Sequence, residues 1–233
     1  MLRLDFKFLI VATPILAFAA VAPVVFPAAL AGYATMKVLA LMLMLPAALL
    51  LVALALWHQS RGSARLAGAV WRGALAGVLA TIALETIRYP GFRLGFMPGN
   101  LPELMGVLLL DRFAAGPSTA STIAGFAYHF WNGASFGILF SVIAEGFSLR
   151  RFKIWAGFYG VLVGIGFLAS PVVQSLGGGF FGLDFGAPFL STVISAHIGY
   201  GVALGVLLKW MSSGDSCDSR DAATAGWLPA TRG

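Results

Sequence analysis

Six long apolar stretches dominate this sequence, and they restrict most of it to helices that cross a lipid bilayer. The hydrocarbon core of a bilayer is about 30 Å thick, so a helix needs about 20 apolar residues to cross it. Stretches of that length lie near residues 8–31, 36–57, 66–87, 122–144, 154–174 and 187–210. The sequence therefore predicts about six transmembrane helices within residues 1–211.

Composition supports an all-α fold, a polytopic helical bundle in the membrane. Hydrophobic residues make up 59% of the chain and charged residues 10%, whereas about 25% of residues are charged in an average soluble domain. The net charge of +6 comes from basic residues scattered in short loops, which excludes the basic stripe of a nucleic-acid-binding protein. The lipid bilayer is thus the predicted partner. The lone cysteine, Cys217, excludes an internal disulfide and a cysteine-based metal cluster.

The distribution of Lys and Arg predicts the orientation of the chain. Eleven of the fifteen basic residues lie on one side of the predicted spans, and such residues are enriched on the cytoplasmic side. Both termini are therefore expected in the cytoplasm. The first apolar stretch begins like a secretory signal, with Arg3 and Lys7 before it, but it continues to Ala31. This length favours a retained span over a cleaved signal, and the orientation is the same in both cases.

Two regions are not predicted to cross the membrane. Residues 89–121 form an outer connector that contains several prolines and glycines. Within it, Asn100 followed by Glu103 is typical of a helix start, and Leu101–Phe113 is predicted to be a short helix in the interface or a cap over the outer face. The polar segment 212–233 is predicted to be a disordered cytoplasmic tail.

Three ionisable residues, Glu85, His129 and His197, fall inside apolar stretches and in the same half of the membrane. Such groups are costly in lipid unless they face a partner, the protein interior or water. They predict an outward-facing pocket formed with Arg88 and Asn132. A structural Glu85–Arg88 ion pair and histidines that merely pack are the alternatives. Further residues expected in the pocket or at its mouth are Ser170, Gln174, Asp184, Glu103, Asp111 and Arg112.

A repeated pattern suggests a duplicated two-helix hairpin. His129 precedes Gly133 and Gly137 at intervals of four, and His197 precedes Gly201 and Gly205 in the same way. In the preceding spans the pattern pairs Gly73 and Gly77 with Gly160 and Gly164. Transport folds often contain such repeats, but glycines four apart are also common in membrane helices, so chance similarity stays an alternative. The many small residues would also suit a homo-oligomer.

The residue types allow several functions. Histidines and a glutamate suit proton transfer or binding of a small solute, which is the favoured, non-enzymatic interpretation. Glu85, His129 and His197 could instead bind a metal, or the two histidines a haem, in a membrane oxidoreductase or hydrolase. An accessory structural subunit is the third alternative. No cofactor is required by the sequence.

Parts of the chain resemble the YagU-type bacterial inner-membrane proteins. From Ala144–Glu145 onward the shared pattern comprises basic residues, then Trp155 and Gly157, Pro171 late in the span and His197 in the last span. The segment Trp71–Pro90 resembles the family's first helix. The resemblance covers roughly residues 71–90 and 144–210. It implies a multi-pass protein of the bacterial inner membrane with a link to acid resistance, and it supplies no catalytic residues.

Overall fold

A computed structural model describes residues 4–147 and 152–225, with side chains at 4–147 and 153–212. The described residues form helices and no strands, so the all-α prediction is confirmed. A π-helical turn lies at Ala40–Met44, and 3₁₀ turns occur at Phe113–Ala115 and Phe180–Phe185. The α-helices are α1 Phe6–Leu30, α2 Met36–Leu39, α3 Leu45–Ser60, α4 Ala64–Arg93, α5 Leu101–Leu109, α6 Thr119–Gly146, α7 Phe152–Leu168, α8 Pro171–Ser175 and α9 Gly186–Ala225.

Five described helical segments are long and apolar enough to cross a membrane. Several such segments in one chain are typical of a multi-pass membrane protein. They are Phe6–Leu30, Met36–Ser60, Ala64–Arg93, Lys153–Ser175 and Phe180–Ser212. The predicted span 122–144 lies within α6, which is long enough but is not among the five. Its polar residues, His129 and Asn132 among them, lower its hydropathy. The sixth span therefore stays a prediction.

The pairing of α4 with α6 supports that sixth span. The two helices run antiparallel, and Arg65 near the start of α4 donates to the Glu145 carbonyl oxygen at 2.6 Å. Near the other end, Glu85 contacts His129. Residues 65 and 85 are separated by about 30 Å of helix at 1.5 Å per residue. On α6 the matching contacts, at residues 129 and 145, are about 24 Å apart, so α6 runs beside α4 for most of the thickness that a bilayer core has.

Close backbone contact at glycines holds the two helix pairs together. A Cβ added to Gly77 would collide with the Gly133 carbonyl oxygen, and one added to Gly160 would collide with the His197 carbonyl oxygen and approach Gly201. The equivalent contacts thus match Gly160 with Gly77 and His197 with Gly133. The sequence pattern instead matched Gly160 with Gly73 and His197 with His129, each one helical turn away. In this register, Leu168 occupies the position that corresponds to Glu85, so the second pair lacks the carboxylate.

Prolines explain why several helix bounds differ from the predicted spans. Pro46 has no N–H to donate to Met42, and the π-helical turn Ala40–Met44 ends two residues before it. Pro90 was predicted to lie in the connector, but α4 continues through it to Arg93. That prediction was wrong because a proline φ suits a helix, and near a helix end only one hydrogen bond is lost. The predicted span 154–174 is interrupted before Pro171, where Ser170 is extended and begins α8.

The two regions that were not predicted to cross the membrane also differ from the prediction. The short helix of the connector ends earlier, and the tail begins as a continuation of a helix. Helix α5 ends at Leu109, before the predicted end at Phe113, and Asp111 follows it with a φ of 55°. Helix α9 continues to Ala225, into the tail that was predicted to be disordered, since no proline interrupts the chain between Pro188 and Pro229. Residues 226–233 lie outside the described part. So do Arg3, Arg150, Arg151 and Arg232, which enter the predicted orientation.

The bundle has two chemically distinct ends. We call the end that carries residues 94–118, between α4 and α6, the connector end. At the opposite end Arg65 contacts Asp5 Oδ2 at 2.6 Å and Glu145 Oε2 at 3.3 Å. The Phe8 amide and the Arg65 guanidinium lower the pKa of the Asp5 carboxyl by donating hydrogen bonds to it. This surface network joins the start of α1 to α4 and α6.

Candidate functional site

A cavity of about 480 Å³ lies within the bundle towards the connector end. Its wall is formed by α1, α4, α6, α7, α8, α9 and the connector, and most of the wall is apolar. Ligand sites in proteins commonly have volumes of about 300–1,000 Å³ and apolar walls with a few placed polar groups. The polar side chains in the wall belong to Thr81, Arg88, His129, Asn132, Tyr159, Ser170, His197 and Tyr200.

A buried ion pair occupies one part of this wall. Arg88 donates from Nε to Glu85 Oε1 at 2.6 Å and from Nη2 to Glu85 Oε2 at 2.7 Å. Residues three apart lie on one face of a helix, so α4 alone places the two side chains together. Arg88 Nη2 also donates to Asn100 Oδ1 at 3.0 Å. The guanidinium is thereby held in one orientation by two elements, α4 and the start of α5.

Asn100 has a different role from the predicted one. It is the N-cap residue of α5, as its position in the sequence indicated, but its side chain makes no capping hydrogen bond. It binds Arg88 instead. The sequence contained no signal for this contact, because it depends on the path of residues 94–99 between the two helices.

His129 extends the ion pair to α6. Its Nε2 atom lies 2.9 Å from Glu85 Oε1, within ion-pair range, although the N–H direction does not meet the angle of a hydrogen bond. An ionised carboxylate only accepts, and its negative charge disfavours a lone pair at this distance. His129 therefore carries a proton on Nε2. The predicted convergence of Glu85 and His129 is present in the geometry, and the role of the pair stays a prediction.

His197 is oriented by its own helix. Its Nδ1 atom lies 2.7 Å from the Val193 carbonyl oxygen, which only accepts, so Nδ1 bears the proton. In the neutral ring Nε2 then has a free lone pair. The ring also stacks on Phe167 with centroids 6.0 Å apart. His129 and His197 thus contribute to the same cavity wall with opposite tautomers.

Three buried polar atoms in the wall have no hydrogen-bond partner, and one of them, His129 Nε2, lies in ion-pair contact with Glu85. The other two are Arg88 Nη1, a donor, and Asn132 Oδ1, an acceptor. A buried polar group without a partner costs about 1–3 kcal/mol, so most such groups are paired in proteins. Both residues line the cavity. A ligand there that accepts from Arg88 and donates to Asn132 would satisfy both atoms.

The predicted pocket residues are only partly brought together. Arg88, His129, Asn132, His197 and Ser170 line the cavity, and Glu85 contacts two of them. The Ser170 hydroxyl already donates to the Phe167 carbonyl oxygen at 2.6 Å. Residues outside the wall are Gln174, Asp184, Glu103, Asp111 and Arg112; all are exposed except the half-buried Glu103.

Tyr128 connects the site to a proline-rich turn of α1. Its hydroxyl donates to the Ala22 carbonyl oxygen at 2.7 Å and accepts from the Phe26 amide at 3.1 Å. These backbone groups are the normal partners of one another in a helix, so the hydroxyl inserts into the helical ladder between Pro23 and Pro27. The sequence contained no sign that a tyrosine 102 residues away would insert into this turn.

We expect Tyr128→Phe to destabilise the protein by about 1 kcal/mol, the usual contribution of a hydrogen bond. The loss is modest because Ala22 and Phe26 can then bond to each other. Thermal unfolding in detergent measures the effect. Tyr33→Phe is the control, since Tyr33 is 82% exposed. Equal melting temperatures for both variants would contradict the role of the hydroxyl.

The described residues contain no group of three or more His, Cys, Asp or Glu side chains that could hold a metal ion. Glu85, His129 and His197 therefore do not form the three-ligand site that their residue types allowed. Glu85 is already bound by Arg88, and His197 stands apart from the Glu85–His129 contact.

The chain matches no protein-family model, no curated protein and no solved structure. What can be said of its function thus depends on the geometry of this cavity.

Proposed function

We propose that this protein is a non-enzymatic, multi-pass protein of the bacterial inner membrane that binds a proton or a small solute in the cavity. The unpaired Nη1 of Arg88 carries this proposal. Arg88 is 4% exposed, and its hydrogen bonds to Glu85 and Asn100 fix the guanidinium. One buried donor group, Nη1, is left without a partner. A purely structural ion pair would have no need of a cavity beside it.

The two histidines place ring nitrogens in the wall of the cavity. His129 bears its proton on the atom beside Glu85, and His197 keeps a lone pair on Nε2. A proton donor and a proton acceptor in one cavity wall suit proton transfer or proton-linked binding. The resemblance to YagU-type proteins supports the same proposal, because that family is linked to acid resistance. The distribution of basic residues supports cytoplasmic termini.

Proton entry into proteoliposomes tests the proposal. Vesicles that contain the protein and an internal pH-sensitive dye receive an external acid pulse. We expect faster internal acidification than in protein-free vesicles, and loss of that difference in the His129→Ala/His197→Ala variant. His58→Ala is the matched control, since His58 lies at the opposite end of the bundle near Asp5 and Arg65. Unchanged acidification in the double variant would contradict the proposal.

A further inference from the structure

The cavity is covered at the connector end and exposed on the side of α7. Its four connector residues, Met97, Leu101, Pro102 and Met105, are all buried. Helix α5 is firmly seated, because a Cβ on Gly106 would collide with the Ser121 carbonyl oxygen of α6. Among the residues that line the cavity, Leu162 and Gly166 are the exposed ones. Both belong to α7.

Helix α7 leaves a gap beside these two residues. It packs extensively along α9 and only slightly against α6. Leu162 and Gly166 are four residues apart and so share one face of α7. Leu162 is 49% exposed, and a Cβ on Gly166 would meet no atom within 4 Å. Since α7 lies in the segment Lys153–Ser175, which is apolar enough to cross a membrane, this gap faces lipid.

The wall of the cavity is amphipathic. Beyond the gap it is lined by flexible or aromatic apolar side chains, among them Phe26, Met105 and Phe167, and methionine adapts to irregular apolar ligands. The wall also contains the unpaired polar atoms Arg88 Nη1 and Asn132 Oδ1. A wall of this kind matches a molecule with one polar head and an apolar chain.

We propose that the ligand of this cavity is a single-chain amphiphile with a carboxylic acid head, which enters from the bilayer past Gly166. This inference rests on the proposed binding function of the cavity. One oxygen of the acid accepts from Arg88 Nη1, and its O–H donates to Asn132 Oδ1 or to the lone pair of His197 Nε2. Both buried polar atoms, or one of them and His197, are then satisfied. The chain occupies the apolar wall towards α7.

Binding of the fluorescent fatty acid cis-parinaric acid to the purified full-length protein in detergent tests this inference. We expect saturable binding that oleic acid displaces. Methyl oleate should compete at least tenfold more weakly, because its ester has no O–H to donate. Sodium acetate at the same concentration should not compete, since it has no chain. Equal competition by methyl oleate, or displacement by acetate, would overturn the proposed ligand class.

The entry route is tested with two tryptophan variants of α7. Gly166→Trp places a large side chain in the open space at the gap and should weaken binding of cis-parinaric acid at least tenfold. Ile165→Trp is the matched control: Ile165 is 41% exposed on the same helix and does not line the cavity. We expect it to bind as the unaltered protein does. Equal binding by both variants would overturn entry past Gly166.

These outcomes separate the inference from the proposed function. Failure of cis-parinaric acid to bind, together with histidine-dependent acidification of proteoliposomes, would overturn the ligand class and leave the proposed function standing. Saturable binding without histidine-dependent acidification would support the amphiphile and count against proton conduction.

Discussion

Glu85→Leu is expected to destabilise the protein by about 3–5 kcal/mol, the usual cost of breaking a buried ion pair by removal of one partner. The variant leaves the guanidinium of Arg88, which is 4% exposed, without its carboxylate. Asn100 still accepts from Nη2 but cannot balance the charge. Thermal or denaturant unfolding in detergent measures the loss.

The matched variant is Glu85→Leu/Arg88→Leu. Replacement of a whole buried ion pair by apolar residues is often neutral or stabilising, so we expect the double variant to recover most of the stability. It should not bind cis-parinaric acid, because the head-group donor is gone. A double variant less stable than Glu85→Leu would contradict the account of the pair. A stable double variant with full binding would show that Arg88 serves structure alone.

Gly77→Ala is expected to destabilise the protein by about 2 kcal/mol, within the range for an overpacked site. Its Cβ would collide with the Gly133 carbonyl oxygen and lie 2.9 Å from the Gly133 carbonyl carbon. Both obstacles are backbone atoms, so α4 and α6 must separate to admit the methyl group. The higher helix propensity of alanine, up to about 1 kcal/mol, offsets only part of this cost.

Gly157→Ala is the control for that prediction. The nearest atom to a Cβ there is Val202 Cγ2 at 3.8 Å, an ordinary contact. Its melting temperature should equal or exceed that of the unaltered protein. If Gly77→Ala melted as high as Gly157→Ala, the close approach of α4 and α6 would be wrong, and with it the position of His129 beside Glu85.

The sequence was sufficient to place Glu85 and His129 together because helix depth is additive. Each residue contributes about 1.5 Å along a helix axis, so counting residues predicted both groups in the same half of the membrane. His197 was predicted in that half as well, and it lines the same cavity.

Contacts that depend on the path of a loop or on the direction of a side chain could not be predicted by counting residues along helices. Asn100 reaches Arg88 only because residues 94–99 turn the connector back over α4. His197 donates to its own helix at Val193, and no spacing in the sequence distinguishes this from a contact with Glu85. Tyr128 and Tyr200 were overlooked because tyrosine is ordinary in apolar spans, yet Tyr200 donates to the Gly133 carbonyl oxygen at 2.7 Å.

Solid-state NMR of the protein in bilayers tests the central claim most directly, namely that Glu85, His129 and His197 meet around one cavity. The His58→Gln variant has two imidazoles, which can be labelled with ¹⁵N and observed with ¹³C-labelled glutamate carboxyls. We predict short-range coupling between one imidazole, protonated on Nε2, and a carboxyl that disappears in Glu85→Gln. The second imidazole should be protonated on Nδ1, and oleic acid should shift the signals of both. Absence of that coupling, or a response of only one imidazole to oleic acid, would contradict a shared cavity.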